Sequence, residues 1–347
     1  MNQAFTFDTT CCRLTAHSMR YRVGQLCEML VRINITVLFK ATAIGLLVCC
    51  TGLNAGERTD ANAEISGAES DAAESHTLPL KPTVVSINLC ADQLLILLAE
   101  PEQILSLSNL SHQSAGSYYF ERARAYPVNE GHAEQVLTLQ PDLVIAGQYS
   151  SPYTLDLLRE VGLRVETIPI ANSIDTMLAN IAQVAAWLGH ESHGEAIVDE
   201  LNHRLTTLKT SLQQEQQTIA AELPIAAVYD PNGYTSGEQS LRGEMIELSG
   251  WRNAAAMAGI QSYGQLSLES IIRLQPDALI ESPYSPGTYS RAQAMSQHPA
   301  LYKAGVDPHI IHVPSRKTVC AGPWTVDVIE QLRTEKAKLP ATRQPHE

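Results

Sequence analysis

Positive charge is scarce in this sequence. The 347-residue chain carries 24 Lys and Arg against 37 Asp and Glu, a formal net charge of −13. Five of those cations and two of those acids fall in residues 1–55, so the rest of the chain stands at −16. A nucleic-acid-binding surface needs clustered Lys and Arg to neutralise phosphates, and this balance argues against one. Neither G-x-G-x-x-G nor G-x-x-x-x-G-K-[ST] occurs, which removes the common nucleotide-binding turns. The nucleophile elbow G-x-S-x-G is missing too, and with it the main sequence mark of a hydrolase. Cysteine is sparse after the first 55 residues, where only Cys90 and Cys320 remain.

Long apolar runs are also lacking. Residues 41–53 are apolar over the length of a signal peptide's core, too short to span a bilayer comfortably, and Arg13, Arg20, Arg22, Arg32 and Lys40 precede them. Residues 1–55 therefore read as an export signal, which places the mature protein outside the cytoplasm. Cys49 and Cys50 sit near a lipoprotein position, but no small residue directly precedes Cys49, so a lipid anchor is the less favoured reading. Residues 56–80 are rich in Ala, Glu, Ser, Asp and Thr with few large apolar side chains, and read as a disordered linker. In an oxidising compartment, Cys90 and Cys320 form an even pair.

What the chain does have is one unit twice. Residues 134–150 read EQVLTLQPDLVIAGQYS and residues 269–285 read ESIIRLQPDALIESPYS, with eight identities in 17 positions. In each copy an apolar helix face is followed by a proline that stops the helix, then by a non-alternating apolar run. Such a run suits a strand covered on both faces of a parallel sheet. Each copy opens on a glutamate, Glu134 or Glu269, placed in a helix's first turn where it complements the dipole and stays free to face a partner. The loop after the strand carries a tyrosine, and open α/β sheets hold ligands at that strand end.

Strands and helices alternate on both sides of the duplication. In the first half, strands are expected over 84–87, 104–107 and 165–168 and a helix over 154–161, with Asn88 or Asp92 capping the first helix. Residues 174–223 contain no proline and are helix-forming throughout. Ile197, Val198, Leu201, Leu205 and Leu208 there give a helix with one buried stripe, long enough to act as a stiff spine. The second half restarts at 225–229, passes a loop over 259–264, and ends with a strand over 309–313 and a helix over 326–338. The fold class is α/β: two similar lobes with central parallel sheets, joined by a long rigid helix, with a ligand cleft between them. The divisions are 81–172 for the N-terminal lobe, 173–223 for the connecting helices and 224–340 for the C-terminal lobe.

The segments VVSINLCADQLLILLAEPEQI, EQVLTLQPDLVIAG, YDPNGYTSG and LESIIRLQPDALI, in order over residues 82–338, resemble the periplasmic binding proteins of ABC importers for vitamin B12 and ferric siderophores. The resemblance implies a protein without enzymatic activity or resident cofactor. It would act as a monomer that captures a cobalt or iron chelate and delivers it to a membrane permease. Glu134 and Glu269 match the family's permease-docking positions. Asn88, Cys90, Tyr149, Tyr234, Tyr263, Cys320 and Trp324 fall where the cleft should be lined. Tyrosine suits that task because one stiff side chain offers apolar area and a hydroxyl. Trp324 is equally compatible with a core position.

The two cysteines depart from the vitamin B12 members' pattern. They stay open between a disulfide that limits cleft opening, a structural bridge, two separate buried thiols, and a thiol pair presented to a metal complex. A zinc or manganese receptor of the same architecture is the first alternative function, and it would have to draw on His112, His132, Asp230 and Glu281; a periplasmic enzyme is the more remote one. Few arginines occur in the cleft loops, which disfavours a highly anionic ferric catecholate against a corrinoid or near-neutral chelate, with Arg316 and Lys317 weighing the other way.

Overall fold

The computed structural model describes residues 81–218, 222–283 and 293–339. The expected signal and linker lie outside them, as do Tyr284 and Ser285 of the second repeat. Five strands form the first sheet: β1 (Val84–Ser86), β2 (Ile104–Ser108), β3 (Val128–Asn129), β4 (Leu143–Gly147) and β5 (Arg164–Ile168). All pair in parallel, in the order β3-β2-β1-β4-β5. The non-alternating LVIAG of β4 is buried at every position, as a strand covered on both faces requires. Four helices belong to this lobe: α1 (Leu89–Leu98), α2 (Phe120–Ala123), α3 (Ala133–Leu139) and α4 (Pro152–Glu160). The last begins two residues before the expected start, because Ser151 caps the Thr154 amide and Pro152 suits a helix's first position.

The repeated Gln-Pro-Asp is a structural turn. Gln140 and Gln275 take left-handed conformations, φ 47° and 45°, that end their helices. Asp142 then accepts hydrogen bonds from the Thr83 amide (2.8 Å) and hydroxyl (2.7 Å), tying β4 to the start of β1. Asp277 accepts from the Ile225 amide at 2.8 Å in the same way.

Two helices form the connector, α5 (Ile174–Leu188) and α6 (Glu191–Thr218). They cross so closely that a Cβ on Gly194 would lie 2.4 Å from the Ala185 Cβ. The 28 residues of α6 span about 42 Å at 1.5 Å per residue. Leu201, Leu205 and Leu208 are its buried stripe, and they join one core cluster that also holds Val84 and Leu143 of the first lobe and Val228 and Ile280 of the second. The connector is thus built into the core.

Among the described residues, the second lobe has four parallel strands, β6 (Ile225–Val228), β8 (Arg252–Asn253), β10 (Ala278–Glu281) and β11 (His309–His312), in the order β11-β10-β6-β8. The expected loop over 259–264 instead runs into β9 (Tyr263–Gln265), which pairs antiparallel with β7 (Tyr234–Ser236) as a separate ribbon. Its helices are α7 (Leu241–Leu248), α8 (Ala254–Met257), α9 (Leu268–Leu274), α10 (Pro299–Lys303) and α11 (Pro323–Ala337). Arg204 on α6 fixes α11, donating to Glu330 at 3.0 and 2.7 Å and to Asp327 at 2.8 Å.

Candidate functional site

Each sheet has a point where the chain's direction of travel reverses: between β1 and β4 in the first lobe, between β6 and β10 in the second. Loops leaving adjacent strands diverge there and open a crevice at their carboxyl ends. Both crevices contribute to one cavity of about 450 Å³, a volume within the usual range of small-molecule sites. Asn88 and Gly147–Tyr149 line it from the first lobe; Asp230, Tyr234, Ser236, Arg242 and Tyr263 line it from the second.

Asn88 does two things. Its Oδ1 accepts from the Cys90 and Ala91 amides, 2.9 and 3.2 Å, and so caps α1. Its amide nitrogen packs against Gly147, where a Cβ would come within 2.3 Å of it. Gly147→Ala must therefore displace the cap, and it is expected to destabilise the protein by about 1–2 kcal/mol, measured by urea denaturation. In an Asn88→Ala background the same substitution should be nearly neutral.

Asp92, the other candidate cap, is wholly buried under this loop. It accepts from the Ser108 amide at 2.9 Å and the Ser108 hydroxyl at 2.5 Å. Burial pushes its pKa up to about 7, against the lowering effect of its serine hydrogen bonds.

The ribbon places the second lobe's tyrosines. Tyr234 pairs with Gln265 and Ser236 with Tyr263, so the two-residue period turns Tyr234 and Tyr263 to one face. With Tyr149 they form a rim, 82 %, 55 % and 57 % exposed for Tyr149, Tyr234 and Tyr263. Buried Met177 and Met245 lie deeper in the lining. Arg242, in the first turn of α7, lies across the strand ends: it pairs with Asp230 after β6 and donates to the Ser282 hydroxyl after β10 at 3.0 Å. Asp230 is itself oriented by the Ser282 amide at 3.1 Å. Arg242 and Lys317 against Asp230 leave the lining weakly cationic within an acidic protein.

Cys90 and Cys320 are joined in a disulfide, with Cα atoms 5.2 Å apart. Both line the cavity, so the bond connects the lobes at the cleft.

Trp324 is corrected: it does not line the cavity and is 1 % exposed. It lies in a small core with Leu89 and Cys320, stacked on Tyr118 at 4.4 Å and edge-on to Tyr119 at 5.5 Å. Its indole nitrogen donates to the Cys320 carbonyl at 2.8 Å.

Glu134 and Glu269 are both exposed in the first turns of equivalent helices. Hydrogen bonds from its own amide and from Ser267 hold the Glu269 carboxyl below the usual range. The residues a zinc or manganese site would need are engaged separately. His112 contacts the Ala123 carbonyl at 3.0 Å, His132 lies 3.6 Å from Glu130, and Glu281 lies 3.4 Å from His312. Among the described residues no three His, Cys, Asp or Glu side chains converge.

Lys317 opens the segment expected at the cleft and does line it, whereas Arg242, Met177 and Met245 were not singled out by sequence reasoning as cleft residues. Arg242 had a usable signal: it follows Ser240, the cap of the helix after the second lobe's first strand and ribbon, much as Cys90 follows the Asn88 cap in the first lobe.

Two α/β lobes on a helical connector, sharing one cleft at paired switch points, define a two-lobed ligand-binding protein. The chain belongs to the family described as periplasmic binding protein, whose pattern matches residues 84–317. Among curated relatives, the cobalamin-binding protein of Halobacterium salinarum is 27 % identical over 211 residues, 59 % of this chain and 55 % of the relative. An uncharacterized ABC transporter substrate-binding lipoprotein of Bacillus subtilis is 25 % identical over 215 residues, 58 % of this chain and 63 % of the relative. The chain therefore spans little more than half of these relatives' lengths. Among solved structures, a periplasmic heme-binding protein of Pseudomonas aeruginosa superposes with a TM-score of 0.60 at 19 % identity, covering 76 % of this chain and 96 % of its own. The vitamin B12-binding protein of Vibrio cholerae gives 0.54 at 19 %, covering 74 % and 96 %. These superpositions establish the fold. No helix among the described residues is long and apolar enough to cross a membrane.

Proposed function

We propose that the protein is an exported receptor that captures a cobalt or iron chelate of the corrinoid or heme type and hands it to an ABC permease. The observation that carries this reading is the cleft itself: a tyrosine rim over a mostly apolar lining, with the Arg242 charge already met by Asp230. Flat aromatic faces suit a large, partly apolar chelate, and one surplus cation suits a ligand with little net charge better than a multiply charged ferric catecholate. The names of the cobalamin-binding relatives and of the heme- and vitamin B12-binding neighbours support the same ligand class.

Titration of intrinsic fluorescence with cyanocobalamin, cobinamide, hemin and a ferric siderophore tests the reading. Saturable quenching by a corrinoid or by hemin is expected, with no response to zinc or manganese salts. A response to the bare ions alone would replace this reading with that of a metal-ion receptor. Glu134 and Glu269 are assigned to permease docking, so the double alanine variant should bind the chelate normally and lose uptake. Unchanged uptake would remove that role.

A further inference from the structure

Among the described residues, two sets of contacts join the lobes. The first is the connector, whose helices share a core with both sheets and whose Ile174 amide donates to Glu244 of α7 at 2.7 Å. The second involves neither α5 nor α6. It includes the Cys90–Cys320 bond, the packing of Tyr118 and Tyr119 on Trp324, the Arg316 guanidinium 6.0 Å from the Phe120 ring, and a hydrogen bond from the Ser315 hydroxyl to the Ala115 carbonyl at 2.6 Å. Two bodies joined along one line can still rotate about that line; a second attachment elsewhere removes the rotation. Of the second set only the disulfide is covalent, and it alone lies in the cavity wall. The stack and the hydrogen bond can open and reclose with thermal motion.

We propose that Cys90–Cys320 is a redox-operated latch that holds the cleft at one width and is released by a dithiol. Cys90 is only partly buried and lines the cavity, which offers an approach to the bond, whereas Cys320 is 4 % exposed. One thiolate of the reductant forms a mixed disulfide with one cysteine and displaces the other as a thiolate, which takes up a proton. The reductant's second thiolate then attacks the mixed disulfide and frees the first cysteine, protonated in turn. The protein gains two thiols and the dithiol leaves as its own cyclic disulfide.

Hydrogen exchange and small-angle scattering test the latch on three samples: the oxidised protein, the same protein in dithiothreitol, and Cys90→Ala/Cys320→Ala. Exchange in residues 113–119 and 315–321 should accelerate roughly tenfold in the last two, and the radius of gyration should rise. The strands β1, β4, β6 and β10 should keep their protection, which shows that both lobes remain folded. Should the alanine variant fail to fold, the reduced wild type carries the same comparison. Unaltered exchange in both loops once the bond is gone overturns the latch. Persistence of the bond in dithiothreitol overturns its redox operation. None of these readouts needs a ligand, so they stand or fall separately from the proposed function.

Discussion

Alanine at Trp324 is expected to lower the free energy of unfolding by about 3–5 kcal/mol, the range for emptying a buried aromatic site. The ring is 1 % exposed and meets Tyr118, Tyr119, Leu89 and Cys320, so little can move in to fill the space. Loss of the indole nitrogen also leaves the Cys320 carbonyl without its donor. Phenylalanine should retain the stack and give up mainly that hydrogen bond, for a loss of about 1–2 kcal/mol. Urea denaturation followed by circular dichroism measures both. A cleft-lining tryptophan would behave differently: its truncation would change ligand affinity and leave stability within about 0.5 kcal/mol. That outcome would return Trp324 to the cleft wall.

Asparagine at Asp92 is expected to stabilise the protein at neutral and alkaline pH and to change little in acid. Burial raises the Asp92 pKa from 3.8 to about 7, so the folded protein keeps this proton at pH values where the unfolded chain has lost it. The folded state therefore binds more protons, and the sign of the linkage makes this contribution fall as pH rises. No penalty exists below about pH 4; it grows through the window from about 4 to 7 and is constant above, reaching about 4 kcal/mol at 1.36 kcal/mol per unit. Asparagine cannot ionise, still accepts from the Ser108 amide, and offers its own N–H to the Ser108 hydroxyl. The stability difference between variant and wild type, measured by urea denaturation from pH 4 to 8, should open across that window. A difference that stays flat would show that Asp92 is ionised without penalty in the folded protein.

Much of the architecture could be read from the chain because local rules and tertiary structure agree. Pro141 and Pro276 stop their helices, the LVIA run is buried on both faces, and Leu201, Leu205 and Leu208 mark the buried side of the spine. Where sequence reasoning fell short, the deciding contacts are distant or the elements are too small to leave a pattern. The strands β3 and β8 have two residues each, and β7 and β9 three, too few for any periodicity to show. Asp92 resembled a cap, but it accepts from Ser108, and Asn88 caps the helix through the Cys90 and Ala91 amides. Arg242 belongs to the cleft only because Asp230 and Ser282 come together at the ends of neighbouring strands. Even spacing could not distinguish the inward Trp324 from a cleft residue, since Tyr118 and Tyr119 of the other lobe decide its burial. The cysteine pairing was likewise undecidable from two positions alone, and the fold settles it.

The 230-residue separation of the bonded cysteines also imposes a schedule on the newborn chain. Cys90 emerges early, with the first helix of the first lobe, and must wait with an unpaired sulfur while the rest of that lobe, the spine and most of the second lobe are made. Cross-linking is then the closing act of maturation rather than a nucleus for it, because the partner arrives only after both sheets can be complete. The waiting interval is the stage at which the chain is most open to pairing with a second molecule.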